Sequence, residues 1–428
     1  MRQVASMGMG MIYQVLNEAW RALRRNRTRS ALTMLGIVWG IATVTLLIAY
    51  GGSFREILVS GFNAFGKGAV ICWPQQTSEQ PGGQRAGKKV VLEQADLDMI
   101  KETANYVRHA CLETVRRPGV AYGNRMVGTA PVRGVCPEYG DMRNEQPSEG
   151  RWINSLDELE RRRVVFLGAR VREQLFGGRP AVGETVEIAG VRFTVIGTMD
   201  RKIQLSNYFS SDDESTWIPY SAANDLWNAK YANVLVFEPI APQFEQRAEA
   251  QVLAAIATRQ QFSPTDKKAI QMFGREQFRP VINGITIGLQ VLLIFIGILT
   301  LGIGGVGVMN IMLVSVDERI REIGLRRALG ARKWHIKAQF LAETLLIMLL
   351  GGAIGIVVSY LVAVAVGTLP LMGPLFEDDS GKADIHLRIS FFTVMVSTVV
   401  LLLVGVLSAM IPASRAANLD PVEALRYE

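Results

Sequence analysis

Two stretches of this 428-residue chain carry the G-x-x-x-x-G-K core of a phosphate-cradling loop: residues 61–68 (GFNAFGKG) and 82–89 (GGQRAGKK). Nucleotide chemistry there would need backbone N–H groups around a phosphate, a lysine on its outer oxygens, and a following Ser or Thr hydroxyl on magnesium. Gly68 and Lys89 stand where that hydroxyl belongs, and neither stretch clearly follows a strand and opens a helix. Both are read as decoys. The histidines, His109, His335 and His386, are scattered, and Cys72, Cys111 and Cys136 do not have zinc-ligand spacing. No nucleophile elbow, H-E-x-x-H or EF-hand pattern occurs. The chain therefore reads as non-catalytic, with no cofactor or metal of its own.

The charges that do cluster lie in residues 316–342, VDERIREIGLRRALGARKWHIKAQFLA. Between Asp317 and Arg327 the charged residues cover one side, while Ile320, Ile323 and Leu325 offer apolar contacts, so a short amphipathic helix is expected. Gly330 is placed to end it in the left-handed conformation. Mixed sign (Asp317, Glu318 and Glu322 among Arg319, Arg321, Arg326 and Arg327) suits a protein groove better than an anionic bilayer. Residues 11–29 are also amphipathic, with Ile12, Val15, Leu16, Ala19 and Leu23 at helical spacing and Arg24, Arg25 and Arg27 at headgroup level. For this segment the lipid surface is the stronger reading.

The elements that must position these charges are apolar. Hydrophobic residues make up 49% of the chain and charged ones 20%, with a net charge of +7. The arginines sit beside apolar runs and no nucleic-acid motif accompanies them, which points to a membrane and away from nucleic acid. Four runs reach the ~20 residues a bilayer core requires: residues 31–50, 285–316, 340–369 (holding one charge, Glu343, near its start) and 389–411, closed by Pro412. The first is too long for the apolar part of a cleaved leader. Arginines before span one (Arg21, Arg24, Arg25, Arg27, Arg29) and the basic loop between spans two and three place both in the cytoplasm. The loop between spans three and four is acidic, with Glu377, Asp378, Asp379 and Asp384 against Lys382 and Arg388. Both termini are then cytoplasmic, and the long segment after span one is outside.

That outer segment reads as a folded α+β domain. Residues 92–107 have helical spacing, residues 251–259 suggest another helix, and β-rich runs cover 163–167, 185–188, 192–197 and 234–237, punctuated by Gly183, Gly190 and Gly197. Residues 75–89 look like a loop. Its flanks, 53–65 and 266–282, read as helical stalks continuing spans one and two. All three cysteines fall here, where an oxidising compartment permits a disulfide. An odd count leaves at least one thiol free within one chain. Cys111 with Cys136 is the pair to test first, and three unpaired buried thiols are the alternative. Within the spans, Gly36, Gly40, Gly302, Gly305, Gly351 and Gly355 read as close-packing positions rather than a pore.

At these residues the chain resembles the MacB family of ABC permeases, a fold shared with FtsX and the lipoprotein-releasing LolC and LolE. The carrying motifs are LRRNRTRSALTMLGIVWGIATV (23–44), LGARVREQLFGGRPAVGETVEIAGVRFTVIGTM (167–199), WIPY (217–220), GIGGVGVMNIMLVSVDERIREIGLRRALGARKWHIKAQFLAE (302–343) and IPASRAANLDPVEALRYE (411–428). The resemblance implies a fold of four transmembrane helices with a large extracytoplasmic domain between helices one and two, divided into porter and sabre subdomains, the sabre around residues 155–220. The expected layout is 1–30 cytoplasmic amphipathic helix, 31–52 span one, 53–284 periplasmic domain with stalk helices, and 285–316 span two. There follow 317–339 coupling loop, 340–369 span three, 370–388 short periplasmic loop, 389–411 span four, and 412–428 cytoplasmic tail. It also implies a bacterial inner-membrane location and pairing with a second copy or a paralogous permease. The ABC ATPase, which holds ATP and magnesium, would dock on the cytoplasmic face. By analogy Glu318, Arg321, Glu322, Gly324, Arg326, Arg327, Gly330 and Ala331 lie in the coupling element. One departure is that no nucleotide-binding domain precedes span one, so the ATPase is expected as a separate polypeptide. The functions implied are export of drugs, peptides or other amphiphiles with a periplasmic adaptor and outer-membrane channel, lipoprotein release, or FtsX-like control of a cell-wall hydrolase without transport.

Overall fold

The computed structural model describes residues 27–64, 66, 68–79, 86–202, 204, 207–370 and 384–425. The amphipathic helix expected before Arg27 lies outside these residues, as do Glu377, Asp378, Asp379 and Lys382 of the acidic loop and the start of the second decoy. Helix α1 (Arg27–Asn63) leads into β1 (Val70–Pro74), α2 (Gln94–Thr103), β2 (Val107–Arg116), β3 (Val120–Tyr122), β4 (Arg125–Val127) and β5 (Val132–Val135). Next come α3 (Tyr139–Arg143), β6 (Pro147–Gly150), α4 (Ser155–Leu159), β7 (Val164–Leu167), α5 (Ala169–Phe176), β8 (Thr185–Ile188) and β9 (Val191–Met199). Then follow β10 (Thr216–Pro219), α6 (Tyr220–Leu226), β11 (Val234–Pro239), α7 (Glu245–Gln260) and β12 (Ile270–Phe273). The remainder is α8 (Arg275–Glu318), α9 (Ile320–Ala328), α10 (Lys333–Val366), the short pair β13 (Thr368–Leu369) and β14 (Ile385–His386), α11 (Phe391–Ala417) and α12 (Pro421–Leu425).

Two compact units divide the chain, one of Met1–Glu56, Ile285–Leu371 and Asp384–Glu428, the other of Ile57–Gly284 and Met372–Ala383. The first is helical. Its spans are the apolar parts of α1, α8, α10 and α11. At 1.5 Å per residue the 44 residues of α8 extend about 66 Å, twice a bilayer core of about 30 Å. The helices bury Ile37, Ile41, Leu301, Met348 and Leu401 among themselves. They leave Val291, Phe295, Ile303, Leu361 and Leu407 exposed. So broad an apolar surface is unsuited to water and fits lipid.

Glycines permit the close helix contacts. A Cβ on Gly355 would sit 1.7 Å from Ile41 Cγ2, one on Gly351 2.9 Å from Ile37, one on Gly40 2.8 Å from Leu301, and one on Gly305 2.5 Å from Ser408. Gly36 meets Gly304, whose own Cβ would lie 3.0 Å from the Gly36 carbonyl. Gly302 differs from these: among the described residues nothing lies within 4 Å of its Cβ position, because two residues turn the helix by about 200° and Gly304 takes the packed face. Span four is also not closed by Pro412. The residue lies inside α11, which continues to Ala417, as neighbouring helices allow for a proline within a membrane bundle.

The second unit is built on one sheet, with strand order β12-β1-β11-β2-β5-β10-β7-β9-β8-β3-β4 and β6 beside β9. The β5–β10 and β7–β9 pairs are parallel and the others antiparallel. Helices α2 and α7 cover the β1–β11–β2 end through Leu97, Ile100, Val252 and Ile256. Helices α5 and α6 cover the other end through Val171, Leu175, Phe176 and Ala223. That second core also takes Val120, Ala130 and Val132 from outside residues 155–220. Cys111 on β2 is disulfide-bonded to Cys136 just beyond β5, with Cα atoms 5.8 Å apart, and Cys72 is a buried free thiol.

Two further readings of this region are corrected. Residues 266–274 are not helical: β12 pairs with β1 in register Ile71↔Phe273 to Pro74↔Ile270, and the helix begins only at Arg275. The buried Ile270 side chain belongs to the sheet core, and a Cβ at Gly274 would fall 2.2 Å from Glu245 Oε1. Gly183 and Gly190 do adopt positive φ (+91° and +79°) as turns, but Gly197 lies within β9. It is needed there because its Cβ position is 2.5 Å from the Arg151 carbonyl oxygen.

Candidate functional site

The charged loop folds into α9, a nine-residue helix separated from α8 by Arg319 alone. Its end is a Schellman turn: Leu329 caps it, Gly330 has φ +96°, the Gly330 N–H donates to the Arg327 carbonyl (3.1 Å), and the Ala331 N–H donates to Arg326 (3.0 Å). The pattern Ile320/Ile323 turns one side inward, and Ile323 is buried.

Two sets of contacts hold α9. On one side Arg326 Nη1 donates to Gln339 (2.8 Å) and Nη2 to Glu322 (2.6 Å), while Arg319 pairs with Glu343 (3.4 Å). Both Gln339 and Glu343 belong to α10. On the other side the Arg327 guanidinium donates to the carbonyls of Ala417 (2.7 Å) and Leu419 (3.1 Å). A cation there meets the negative end of the α11 dipole. Lys333 donates to Asn418 (3.0 Å), and Arg415 pairs with Asp317 (3.1 Å). Gly324 faces Ala424 of α12, where a Cβ would come within 2.6 Å of the alanine methyl.

The expected coupling residues therefore divide into two groups. Glu318, Arg321, Glu322 and Gly330 are exposed, Arg326, Arg327 and Ala331 are half-buried, and Gly324 is buried. The last four are engaged or packed inside the unit, while the first four lie on the open face. Of the apolar part of that face, sequence reading named Leu325 (52% exposed) and missed Leu329 (81%) and Trp334 (69%). It also missed Gln339 and Ala424 as partners. The arginine spacing gave no signal for either, since both contacts cross between helices.

A second polar cluster, absent from the sequence reading, lies inside the sheet-bearing unit. Arg133 of β5 is fully buried. It donates to Glu113 of β2 (2.8 Å), Ser215 Oγ (3.1 Å) and the carbonyls of Tyr208 (2.9 Å) and Ser210 (3.1 Å). Tyr208 donates to Glu113, and the Tyr139 and Tyr208 hydroxyls lie 2.7 Å apart. Alongside, Arg143 and Lys202 pair with Asp212 (3.2 and 3.0 Å), and Lys202 with Glu145 (3.2 Å). Burial raises the Asp212 carboxyl, but Lys202, Arg143 and Arg133 outweigh it and hold the group well below the usual range. Burial and the Asp212 charge push Glu145 up to about 8. A charge within runs such as LETV and VRGV was the one available sign. Arg133, Arg143, Glu113, Glu145 and Asp212 are all buried, and the arrangement serves packing.

The first decoy runs into the end of α1, with Asn63 its last residue, and β1 follows. That order, helix before strand, is the reverse of a phosphate-binding turn. Lys89 of the second is in an isolated bridge with Gln76.

With this geometry in view, comparison with known proteins is direct. Residues 30–256, more than half of the chain, match the MacB-like periplasmic core domain, and residues 266–421 match the FtsX-like permease C-terminal domain. The chain belongs to the MacB-like permease family. The macrolide export ATP-binding/permease protein MacB of Escherichia coli (strain K12) is 32% identical over 419 residues, covering 97% of this chain. Its namesake from Bdellovibrio bacteriovorus is 30% identical over 418 residues, covering 96%. The chain spans 61% of the length of each of these relatives. Among solved structures, the periplasmic region of MacB from Actinobacillus actinomycetemcomitans aligns with TM-score 0.42 and 16% identity, over 53% of this chain and 98% of that one. The extracellular domain of the transporter YknZ from Gram-positive bacteria aligns with TM-score 0.40 and 13% identity, over 48% and 99%. The α9 site lies in the FtsX-like part and the buried polar cluster in the MacB-like periplasmic core. As a MacB-like permease the chain is a multi-pass membrane protein whose sheet-bearing unit is the family's periplasmic domain.

Proposed function

We propose that this permease is the non-catalytic membrane subunit of an ATP-driven exporter, and that a separate ABC ATPase, holding ATP and magnesium, docks on the open face of α9. The observation that carries the reading is the two-faced character of that helix. Arg326, Arg327 and Gly324 tie it to α10, α11 and α12. Leu325, Leu329 and Trp334 stay exposed beside Glu318, Arg321 and Glu322. Exposed aromatic and aliphatic anchors ringed by charge are what a protein partner buries. This end is taken as cytoplasmic from its arginine and lysine excess. Closure of two ATPases on a pair of permeases, the second a copy or a paralogue, would move α9. Helices α1 and α8 would deliver the motion to the periplasmic domain. Work would be done on amphiphilic substrates outside the membrane core, with a periplasmic adaptor and outer-membrane channel receiving them.

The test is gentle solubilisation of the full chain, identification of the copurifying ATPase, and measurement of its stimulation. Replacing Glu322 and Arg326 together should abolish permease-dependent stimulation of ATP hydrolysis. Intact stimulation in the double variant rejects the docking surface. An adaptor among the copurifying proteins supports export, and a cell-wall hydrolase in its place supports the regulatory alternative.

A further inference from the structure

Resting on that docking reading, we infer that Arg319 and Glu343 form the force-bearing link between the coupling helix and the third span, with the backbone at Arg319 as the hinge. Arg319 is the one residue between α8 and α9 and has φ −116°, ψ 13°, backbone angles that continue neither helix. Its N–H donates to the Val316 carbonyl, and its own carbonyl accepts from Ile323, so both helix ends terminate on it. A turn of α9 about this residue changes its angle to α8 without breaking either helix.

The same residue's guanidinium crosses to Glu343 at 3.4 Å, the arginine side chain 24% exposed and the carboxylate 5%. Glu343 is embedded in an apolar stretch of α10, beside the buried Phe340, Thr344 and Met348. An ionised group is kept at such a position only with a partner, and intramembrane carboxylates mark functional positions. One turn earlier on α10, Gln339 accepts from Arg326. Both ends of α9 are thus fastened to successive turns of a single helix, whereas the α8 junction is a one-residue joint. A push on the open face of α9 is passed through these contacts to α10, while the joint at Arg319 lets the angle between α9 and α8 change. Arg319 and Glu343 act here as positioning residues.

The experiment uses the full chain with the ABC ATPase that copurifies with it, reconstituted in lipid vesicles. Arg319→Glu and Glu343→Arg should each leave the ATPase bound but cut permease-dependent stimulation on the order of tenfold, within the range of coupling between distinct sites. The double reversal should restore at least half of it, a rescue that a merely packed pair of side chains would not give. Where a reversal does not accumulate in the membrane, Glu343→Gln keeps shape and a hydrogen-bond acceptor and gives the same readout. A threefold or greater loss supports the link, and wild-type stimulation overturns it. Single reversals within twofold of wild type, or a double reversal no better than the singles, also overturn it. If the wild-type chain retains no ATPase at all, the docking reading itself fails, which is a separable result.

Discussion

Replacing Arg133 by methionine removes the cation at the centre of the buried cluster and leaves Glu113, itself fully buried, without its guanidinium. Four hydrogen bonds go with it, to Glu113, Ser215, Tyr208 and Ser210, together with the stacking of the guanidinium 4.8 Å from the Tyr208 ring centre. Stripping one partner from a buried ion pair costs about 3–5 kcal/mol, because the remaining charge stays desolvated. A unit of this size shifts its Tm by about 2–4 °C per kcal/mol, so the expected drop is about 6–20 °C. The assay is thermal unfolding of the full chain in detergent, followed by tryptophan emission, since Trp217 is fully buried and 5.9 Å from Trp152. Arg133→Met with Glu113→Leu removes both charges and should recover most of the loss. A single variant within about 2 °C of wild type, or a double variant less stable than the single, would refute the assignment of this cluster as the domain's polar keystone.

Two other outcomes follow from packing and charge. Gly355→Ala forces a methyl to within 1.7 Å of Ile41 Cγ2 and 3.0 Å of the Val38 carbonyl oxygen, which should cost about 1–3 kcal/mol by overpacking. Gly302→Ala meets nothing within 4 Å among the described residues and should lose no stability, so equal thermal shifts in the two variants would contradict the packing described. Burial, with Glu249 and Glu276 nearby, pushes the Glu245 carboxyl up to about 7 against hydrogen bonds from the Glu276 N–H. A carboxyl raised on folding stabilises the protonated protein, so the periplasmic unit should be most stable below about pH 4.5 in this respect and lose that contribution as pH rises through about 7. Glu245→Gln should narrow the difference in unfolding midpoint between about pH 5 and about pH 8, and an unchanged difference would remove Glu245 from the account.

Spans were legible because the bilayer imposes length and the exclusion of charge, both of which are local properties. The short helix α9 and its glycine stop were legible for the same reason: periodicity and a Schellman turn need only neighbouring residues. Strands β7, β8, β9 and β11 showed as β-branched runs, and glycines marked two of their turns. What escaped depended on contacts distant along the chain. Strand β12 reads as part of a helix until its partner β1, some 200 residues earlier, is known. Arg133 looks like a surface residue of a strand until Glu113, Ser215 and the 208–210 carbonyls converge on it. Gly324 was placed in the coupling element by analogy alone, and only the return of the C-terminal helix to within van der Waals distance of it explains the lack of a side chain.

The main segment of the sheet-bearing unit begins and ends at neighbouring strands. Strand β1 begins a few residues after α1 ends, one residue, Gly274, separates β12 from α8, and the two strands are hydrogen-bonded neighbours. Phe62 and Phe278 touch beside these strands, their rings 6.1 Å apart. A one-residue slip between paired strands would turn every side chain to the opposite surface, so these helix roots cannot slide lengthwise past each other like pistons. They can splay or twist about the ladder that stitches them. Relative movement of the two helix roots is thereby confined to a change of angle.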